Sequence, residues 1–496
     1  MGLQITRENF DEHDDHLFGE RLTRSLSALE QLLQRPEFGN GPQSIGAEME
    51  LSIIDDTGHA CPINRAVLNQ CVNEHLQLEL DRFNLEYNLT PTALAGCPFS
   101  NLQTQLEEAL GLLEQSANGL GGRIVPIGIL PTLKLEELDR SVMSDLPRYR
   151  ALSAGLRRLK KGPFDVHIAG CEPLTVSCED VTLEGATTSF QIHLRVDPDR
   201  FASVYNAAQL ATPVVLGLGA NSPIFLGHRL WDETRVALFK QSIDSRTVEE
   251  HAWHRPARVS FGFGWVRQGA YELFAEAVGL YPPLLPEIGE EDPLECMAEG
   301  RLPKLEELRL HQGTVWRWNR AIYDANDQGH VRIELRALPS GPTPIDMVAS
   351  AAFLIGLTLG LSVEVDRLLP NFPFEYAHRN FYRAAQYGVD ANLLWPIPAV
   401  GGPKEVGVCT LAEEVLPIAE EGLVRAGVEQ QETHALMEVI RHRIRTRMTG
   451  ARWQLQALAQ LEQRMDREAA LSCMLEHYLT RSRSGIPVSE WNVEVR

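Results

Sequence analysis

Several kinds of chemistry are missing from this chain of 496 residues. It has no C-x-x-C pair, and its eight cysteines (61, 71, 97, 171, 178, 296, 409 and 473) are scattered. That excludes a zinc ribbon and a dense disulfide framework, and it fits a reducing, cytoplasmic setting. There is no P-loop, no G-x-G-x-x-G after a strand, no G-x-S-x-G and no H-E-x-x-H. The commonest phosphate-loop, dinucleotide, serine-hydrolase and metalloprotease sites are therefore absent. "SFGFGW" (260–265) lacks the spacing of a phosphate loop. Positive charge is scarce: 46 Lys and Arg against 67 Asp and Glu leave a formal charge of −21. This balance argues against nucleic acid or an anionic membrane as partner, and a nucleotide site would need local arginine, lysine or a divalent cation. The acidic start "MGLQITRENFDEHDDHLFGE" has no apolar core for a secretory signal, and Gly2 with Thr6 has no polybasic neighbour to support a lipid anchor. The long uncharged run "MVASAAFLIGLTLGLSV" (347–363) is rich in Ala, Gly and Ser and flanked by acidic residues. A buried core helix is expected there, not a membrane span.

What remains is an ordinary globular composition, long enough for two or three domains. Leucines at 22, 26, 29 and 33 predict an amphipathic helix over 17–34. A strand follows at 44–54, then a turn at "DDTGHA" (55–60) and a strand at 79–90. A helix over 100–118 is expected to start from Ser100 as N-cap. Strands are expected at 122–130, 187–197 and 331–338, a helix at 201–219 leading into the loop "GANSPIFLG", and almost continuous helix from about 405 to 480. Hairpin-linked strands with intervening helices predict an α+β fold on a largely antiparallel sheet. The expected division is 1–40 helical, 41–400 catalytic and 401–496 a helical extension.

Four of these strands carry charged or imidazole side chains where a core strand would be apolar. They are Glu48 and Glu50 in "GAEMEL", Glu79 and Glu86 in "ELDRFNLEYN", Gln191, His193 and Arg195 in "FQIHLRV", and Glu334 and Arg336 in "RIELRA". Spacing two puts such residues on one strand face. Any half-solvated antiparallel strand shows the same alternation, and a lone histidine is an ordinary structural residue. Four strands that agree on one chemistry describe a lined cleft. Carboxylates with an imidazole suit Mg²⁺ or Mn²⁺ bridging phosphates, and arginines neutralise transferring phosphoryl groups.

In order, "GAEMEL", "LEYNLTP", "FQIHLRVD", "GANSPIFLG" and "RIELRALPSGPTPID" resemble the glutamate–cysteine ligases of plant and proteobacterial type and their carboxylate–amine ligase relatives, in the glutamine synthetase superfamily. The resemblance covers about residues 40–365. It implies a curved antiparallel sheet forming a funnel backed by helices, with ATP entering one end and an amino acid the other. It implies that Glu48 and Glu50 face separate Mg²⁺ (or Mn²⁺) ions, with Glu79 and Glu86 on one and His193 and Glu334 completing the others. Arg336 would hold the phosphate that moves, and Arg320 in "TVWRWNRAIYD" would assist. Arg235 and Arg246 in "ETRVALFKQSIDSR", with Arg195 and Gln191, would contact substrate. The implied reaction is ATP-dependent formation of a γ-glutamyl amide through an acyl phosphate, with cysteine as the expected amine, a step of glutathione biosynthesis. Another amine acceptor, a guanidino kinase-like phosphotransferase and a non-catalytic binding relative are the alternatives. Expected partners are small molecules only, with a homodimer as one role for the helical ends.

Overall fold

The computed structural model describes residues 5–397 and 402–495; Gly2 and the expected boundary at 400/401 lie outside the described residues. In chain order the strands among the described residues are β1 (Ser44–Ile54), β2 (Leu76–Leu78), β3 (Asn84–Asn88), β4 (Thr92–Ala93), β5 (Arg123–Val125), β6 (Phe164–Ile168), β7 (Leu174–Cys178), β8 (Phe190–Val196), β9 (Ile224–Phe225), β10 (His228–Arg229), β11 (Asn319–Asp324), β12 (His330–Leu335), β13 (Asn392–Trp395) and β14 (Lys404–Gly407). Eight of them form one sheet in the order β11-β12-β8-β1-β3-β2, with β4 and β5 also paired to β1. Every pairing in it is antiparallel. The long β1 is shared along its length: β8 pairs with residues 45–49 and β3 with 48–52. Offset pairing of this kind curls a twisted sheet towards a half-barrel.

Alternation decides what each face does. Ala47, Met49, Leu51 and Ile53 of β1 join Phe190, Ile192 and Leu194 of β8 and Ile333 and Leu335 of β12 in the main core. Helices Pro98–Asn118, Phe201–Gly219 and Pro344–Leu361 cover that face with their own buried residues. The last two are long and apolar enough to cross a membrane, yet each is 89% buried in the fold. Their small residues serve packing. A Cβ on Gly356 would come 2.5 Å from the carbonyl oxygen of Ala419, so glycine there lets helix Val408–Arg425 lie directly against Pro344–Leu361. Phe18, Leu22 and Leu29 of the first helix (Glu12–Leu33) and Leu411 and Leu436 near the other end belong to the same core, so both helical ends pack with the sheet.

Four expectations shift. The strand expected over 79–90 is two: Gln77 opposes Glu86 across a β2–β3 hairpin, and residues 79–83 form its bend. Buried Leu76, Leu78 and Leu80 have even parity and buried Phe83 and Leu85 odd, a slip that one continuous strand does not accommodate. The helix expected at 100 begins at Pro98, with Cys97 as N-cap in place of Ser100. The strand expected over 122–130 closes after Val125, and "GANSPIFLG" contains the short β9.

Candidate active site

The other face of the sheet is polar, and register lays its side chains out in rows. Glu86 lies opposite Glu50, Gln191 opposite Glu48, His193 opposite Glu334, and Glu334 opposite Arg320. Together they line a cavity of about 340 Å³. Arg148, Tyr149, Phe274, Arg309 and Trp316 form part of its remaining wall. A side chamber of about 30 Å³ adjoins it, bounded by Glu50, Glu184, Asn84, Arg235, Phe239 and Arg336, among others.

Two three-residue groups stand out. In one, oxygen or nitrogen atoms of Glu48, His193 and Glu334 all lie within 4.8 Å of one another; in the other, so do those of Glu50, Glu79 and Glu86. The two glutamates of "GAEMEL" thus belong to different clusters, although only Met49 separates them. Glu79 joins the second cluster from the hairpin bend, which carries it back beside Glu86.

The clusters differ in charge balance. His193 Nε2 sits 3.0 Å from Glu48 Oε1 and 3.8 Å from Glu334 Oε1. Arg320 grips Glu334 with two bonds, Nε to Oε2 at 2.7 Å and Nη2 to Oε1 at 3.1 Å. Arg336 donates to Glu334 Oε2 at 3.1 Å and to the Gln191 side-chain oxygen. Burial works to raise both carboxylates, but Arg320, Arg336 and the imidazole hold Glu334 far below the ordinary range, and the imidazole and Arg336 hold Glu48 below it.

The second cluster lacks such partners. Glu50 accepts bonds from Ser189 N at 2.6 Å and Gln191 Nε2 at 2.8 Å, and Glu86 from Asn88 Nδ2 at 2.7 Å. These do not offset burial and mutual repulsion. Burial raises Glu50 despite Arg336 and Arg235. Burial, with Glu50 beside it, pushes Glu79 up to about 8. Burial, with Glu48, Glu79 and Glu50, pushes Glu86 well above its ordinary value. Three half-buried carboxyls crowded together without a cation between them form an oxygen-only donor set that fits a hard divalent cation; the first cluster fits one through two oxygens and an imidazole.

Other sequence-derived residues fall elsewhere. Arg235 borders the side chamber, but its guanidinium is engaged by Glu233 at 2.8 Å and by the carbonyls of Ala337 and Arg336. Arg195 shares the strand face of His193, yet it turns at the rim to the Asn40 carbonyl (2.8 Å) and Asp327 (3.3 Å) and lines neither chamber. Arg246 also lies outside both chambers; it pairs with Asp244 and donates to the Arg255 carbonyl, fixing its own loop. Strand parity specifies a face but not how far along it the cavity extends.

Glu184 was not apparent from the sequence. It lies on the single turn Thr182–Gly185 that leads into β8, lines both chambers, and is pushed up to about 8 by burial and by Glu50. Its one sequence signal is an acid embedded in the small and apolar run "VTLEGA".

A family model described as glutamate–cysteine ligase family 2 matches residues 44–474. Among curated proteins, the "Putative glutamate–cysteine ligase 2-2" of Saccharopolyspora erythraea is 29% identical over 197 residues. That alignment covers 38% of this chain and 43% of that protein, so it spans under half of the relative. Among solved structures, glutamate–cysteine ligase (gshA) from Francisella tularensis superposes with a TM-score of 0.56 over 92% of this chain and 91% of its own, at 12% identity. That similarity establishes the fold, and the family model establishes the kinship: the chain belongs to glutamate–cysteine ligase family 2.

Proposed function

We propose that this protein is an ATP- and divalent-cation-dependent carboxylate–amine ligase that joins the γ-carboxylate of glutamate to an amine, cysteine being the expected acceptor. The observation that carries this reading is the placement of Arg336 between two carboxylate clusters on one wall of the cavity. A carboxylate is a poor electrophile because its oxide does not leave. Transfer of the ATP γ-phosphoryl group to it breaks the bond to ADP and gives an acyl phosphate. The amine then attacks the acyl carbon, phosphate departs and the ammonium proton is released.

The chain's own contribution is electrostatic and positional. Arg336, half-buried and held by Glu334 and Gln191, presents a fixed cation to the phosphoryl group, and Arg320 keeps Glu334 ionised and oriented. Glu48, His193 and Glu334 on one side, and Glu50, Glu79 and Glu86 on the other, would hold divalent cations, which screen phosphate charge when bound. Gln191 and Arg235 are assigned to substrate contact through the chambers they border. No enzyme nucleophile is required, and none of the eight free cysteines lines either chamber. Those free thiols support assignment to a reducing cytoplasm.

Incubation with ATP, Mg²⁺ and glutamate, with and without a panel of amines, tests the proposal. Amine-dependent release of ADP and free phosphate with an amide product is expected. ADP without free phosphate identifies a phosphotransferase instead, and no turnover with any acceptor identifies a binding protein.

A further inference from the structure

Five arginines line the main cavity: Arg148, Arg309, Arg320, Arg332 and Arg336. Four of them are engaged. Arg320 and Arg336 hold Glu334, Arg332 pairs with Asp324 at 2.7 Å, and Arg309 has an interaction of its own. Arg148 differs. Among the described residues its side chain makes no hydrogen bond and no ion pair, although it stands on the cavity wall and is exposed there. On an open surface, water alone would satisfy such a guanidinium. On the wall of a cavity lined by six glutamates, a cation that none of them takes is placed for something that enters.

The local fold holds Arg148 in this position. It is the second residue of the helix Pro147–Lys160, and its neighbours Tyr149 and Leu152 line the same cavity. The spacing i, i+1, i+4 puts all three on one side of the helix. The Tyr149 hydroxyl donates to the Leu78 carbonyl at 2.9 Å, which ties the start of the helix to β2, where Gln77 lies opposite Glu86. The acids nearest in sequence are not available to Arg148. The first turn of the helix contains none, and Arg150 takes both Asp145 and Glu8. Across from the helix stands Gly313, where a Cβ would come 3.8 Å from Arg148 Nη2, so no side chain occupies that approach.

A guanidinium presents a planar fork of donors that matches a carboxylate with two parallel bonds. The reaction needs such a grip away from the phosphoryl group. An amino-acid substrate brings an α-carboxylate that takes no part in the chemistry, and its charge must be met when it leaves water. Arg195 and Arg246 hold rim loops instead, and Arg235 is engaged by Glu233. Arg336 serves the sheet wall beside Glu334, whereas Arg148 stands on the covering helix with Leu152 one turn further on.

We propose that Arg148 binds the free α-carboxylate of an amino-acid substrate, and so selects substrates whose non-reacting end is a carboxylate. The inference rests on the ligase reading above and deepens it by naming the residue that reads that end. Binding energy gained there orients the reacting end against Arg336 and the clusters.

The test compares wild type with Arg148→Met, which keeps the apolar stem and removes the charge. Glutamate is titrated with each of two acceptors, cysteine and cysteamine, the second lacking the carboxylate. The KM for one amino-acid substrate is expected to rise by about 10- to 100-fold, while kcat and the KM for ATP change less than about 3-fold. The thermal midpoint should stay that of wild type, because no bond of the free chain is lost. Arg148→Lys, which keeps the charge without the fork, should recover part of the affinity. A rise confined to glutamate, the same with either acceptor, assigns the glutamate carboxylate. A rise confined to cysteine, with cysteamine unaffected, assigns that of the acceptor. A rise in the KM for ATP would make Arg148 a phosphate ligand, and equal losses with every substrate or a lowered midpoint would make it structural; each overturns the proposal. So would equal rises for cysteine and cysteamine. If wild type consumes no ATP with any acceptor, the ligase reading fails and takes this inference with it; if it turns over and Arg148→Met behaves as wild type, only this inference fails.

Discussion

The two carboxylate clusters are built alike and behave as opposites. Each takes one glutamate from "GAEMEL" and two further side chains from neighbouring segments, and each faces the same cavity. The Glu48–His193–Glu334 cluster is neutralised by the protein itself through Arg320, Arg336 and the imidazole. The Glu50–Glu79–Glu86 cluster is not, and its carboxyls are driven upward by burial and by one another. One half of the site is complete in the folded chain, and the other waits for positive charge from outside. Substitutions on the two halves should therefore separate activity from stability.

The largest effect is expected at Glu334. Glu334→Gln leaves Arg320 and Arg336 without the buried carboxylate they share. Uncompensated buried charge costs on the order of 3–5 kcal/mol, so the thermal midpoint should fall together with turnover, the latter by about 10²–10³-fold or more. Calorimetry and the ADP assay on one preparation check both. A variant that loses activity with an unchanged midpoint would show the two halves to be equivalent.

Glu50→Gln should lose a comparable factor in turnover but keep or gain stability in metal-free buffer, because it removes one of several repelling carboxyls. A large loss of stability there would make the second cluster a structural element.

The next effect is on pH dependence, and its sign differs between the clusters. Glu79 and Glu184, both raised to about 8, keep protons in the folded state that the unfolded chain has released. Stability of the metal-free protein should therefore decline as pH rises from about 4.5, the unfolded carboxylate value, to about 8. Glu334 is depressed, so its contribution is present above the unfolded value and is lost only as pH falls well below it. Urea midpoints between pH 5 and 8 in chelator should show the decline, and Mn²⁺ should flatten it while releasing protons, read as a buffer-dependent heat of binding. A flat metal-free profile would remove the distinction between the clusters.

How much of this was legible in the sequence follows from how far each signal reaches. Period-two alternation is local, so "GAEMEL", "FQIHLRV" and "RIELRA" each declared a polar face, and antiparallel pairing placed those faces side by side. Glu79 was read as a member of one continuous strand, because the parity slip at residues 81–82 marks a bend only when burial on both sides is known. Glu184 sits on a single helical turn with no period at all, and tertiary packing alone brings it to Glu50. Likewise, the extent of the cavity along the sheet depends on what the covering helices fill, which no strand pattern encodes.

The smallest expected effects test that last point. Arg195 and Arg246 carry the residue type suited to substrate carboxylates, but their guanidinium groups are engaged elsewhere. Arg195 bridges the Asn40 carbonyl to Asp327, and a Cβ on Gly41 would come 2.7 Å from its Nη2, so the 40–41 loop is closed down upon it. Arg246 holds Asp244 with Nε at 2.9 Å and Nη2 at 2.6 Å and reaches the Arg255 carbonyl at 2.8 Å. Replacing either with methionine removes bonds that fix a rim loop, each worth about 1 kcal/mol, and takes no charge from the cavity wall. Arg195→Met and Arg246→Met should each lower the thermal midpoint slightly and change kcat/KM for glutamate by less than about 3-fold, against the 10²-fold or greater loss expected for removing Glu334 or Glu50. A 100-fold rise in the KM for glutamate with an unchanged midpoint would mean that these arginines leave their loops to grip the substrate. The rim would then join the site, and the boundary drawn here between the charged wall and its supports would have to move outward.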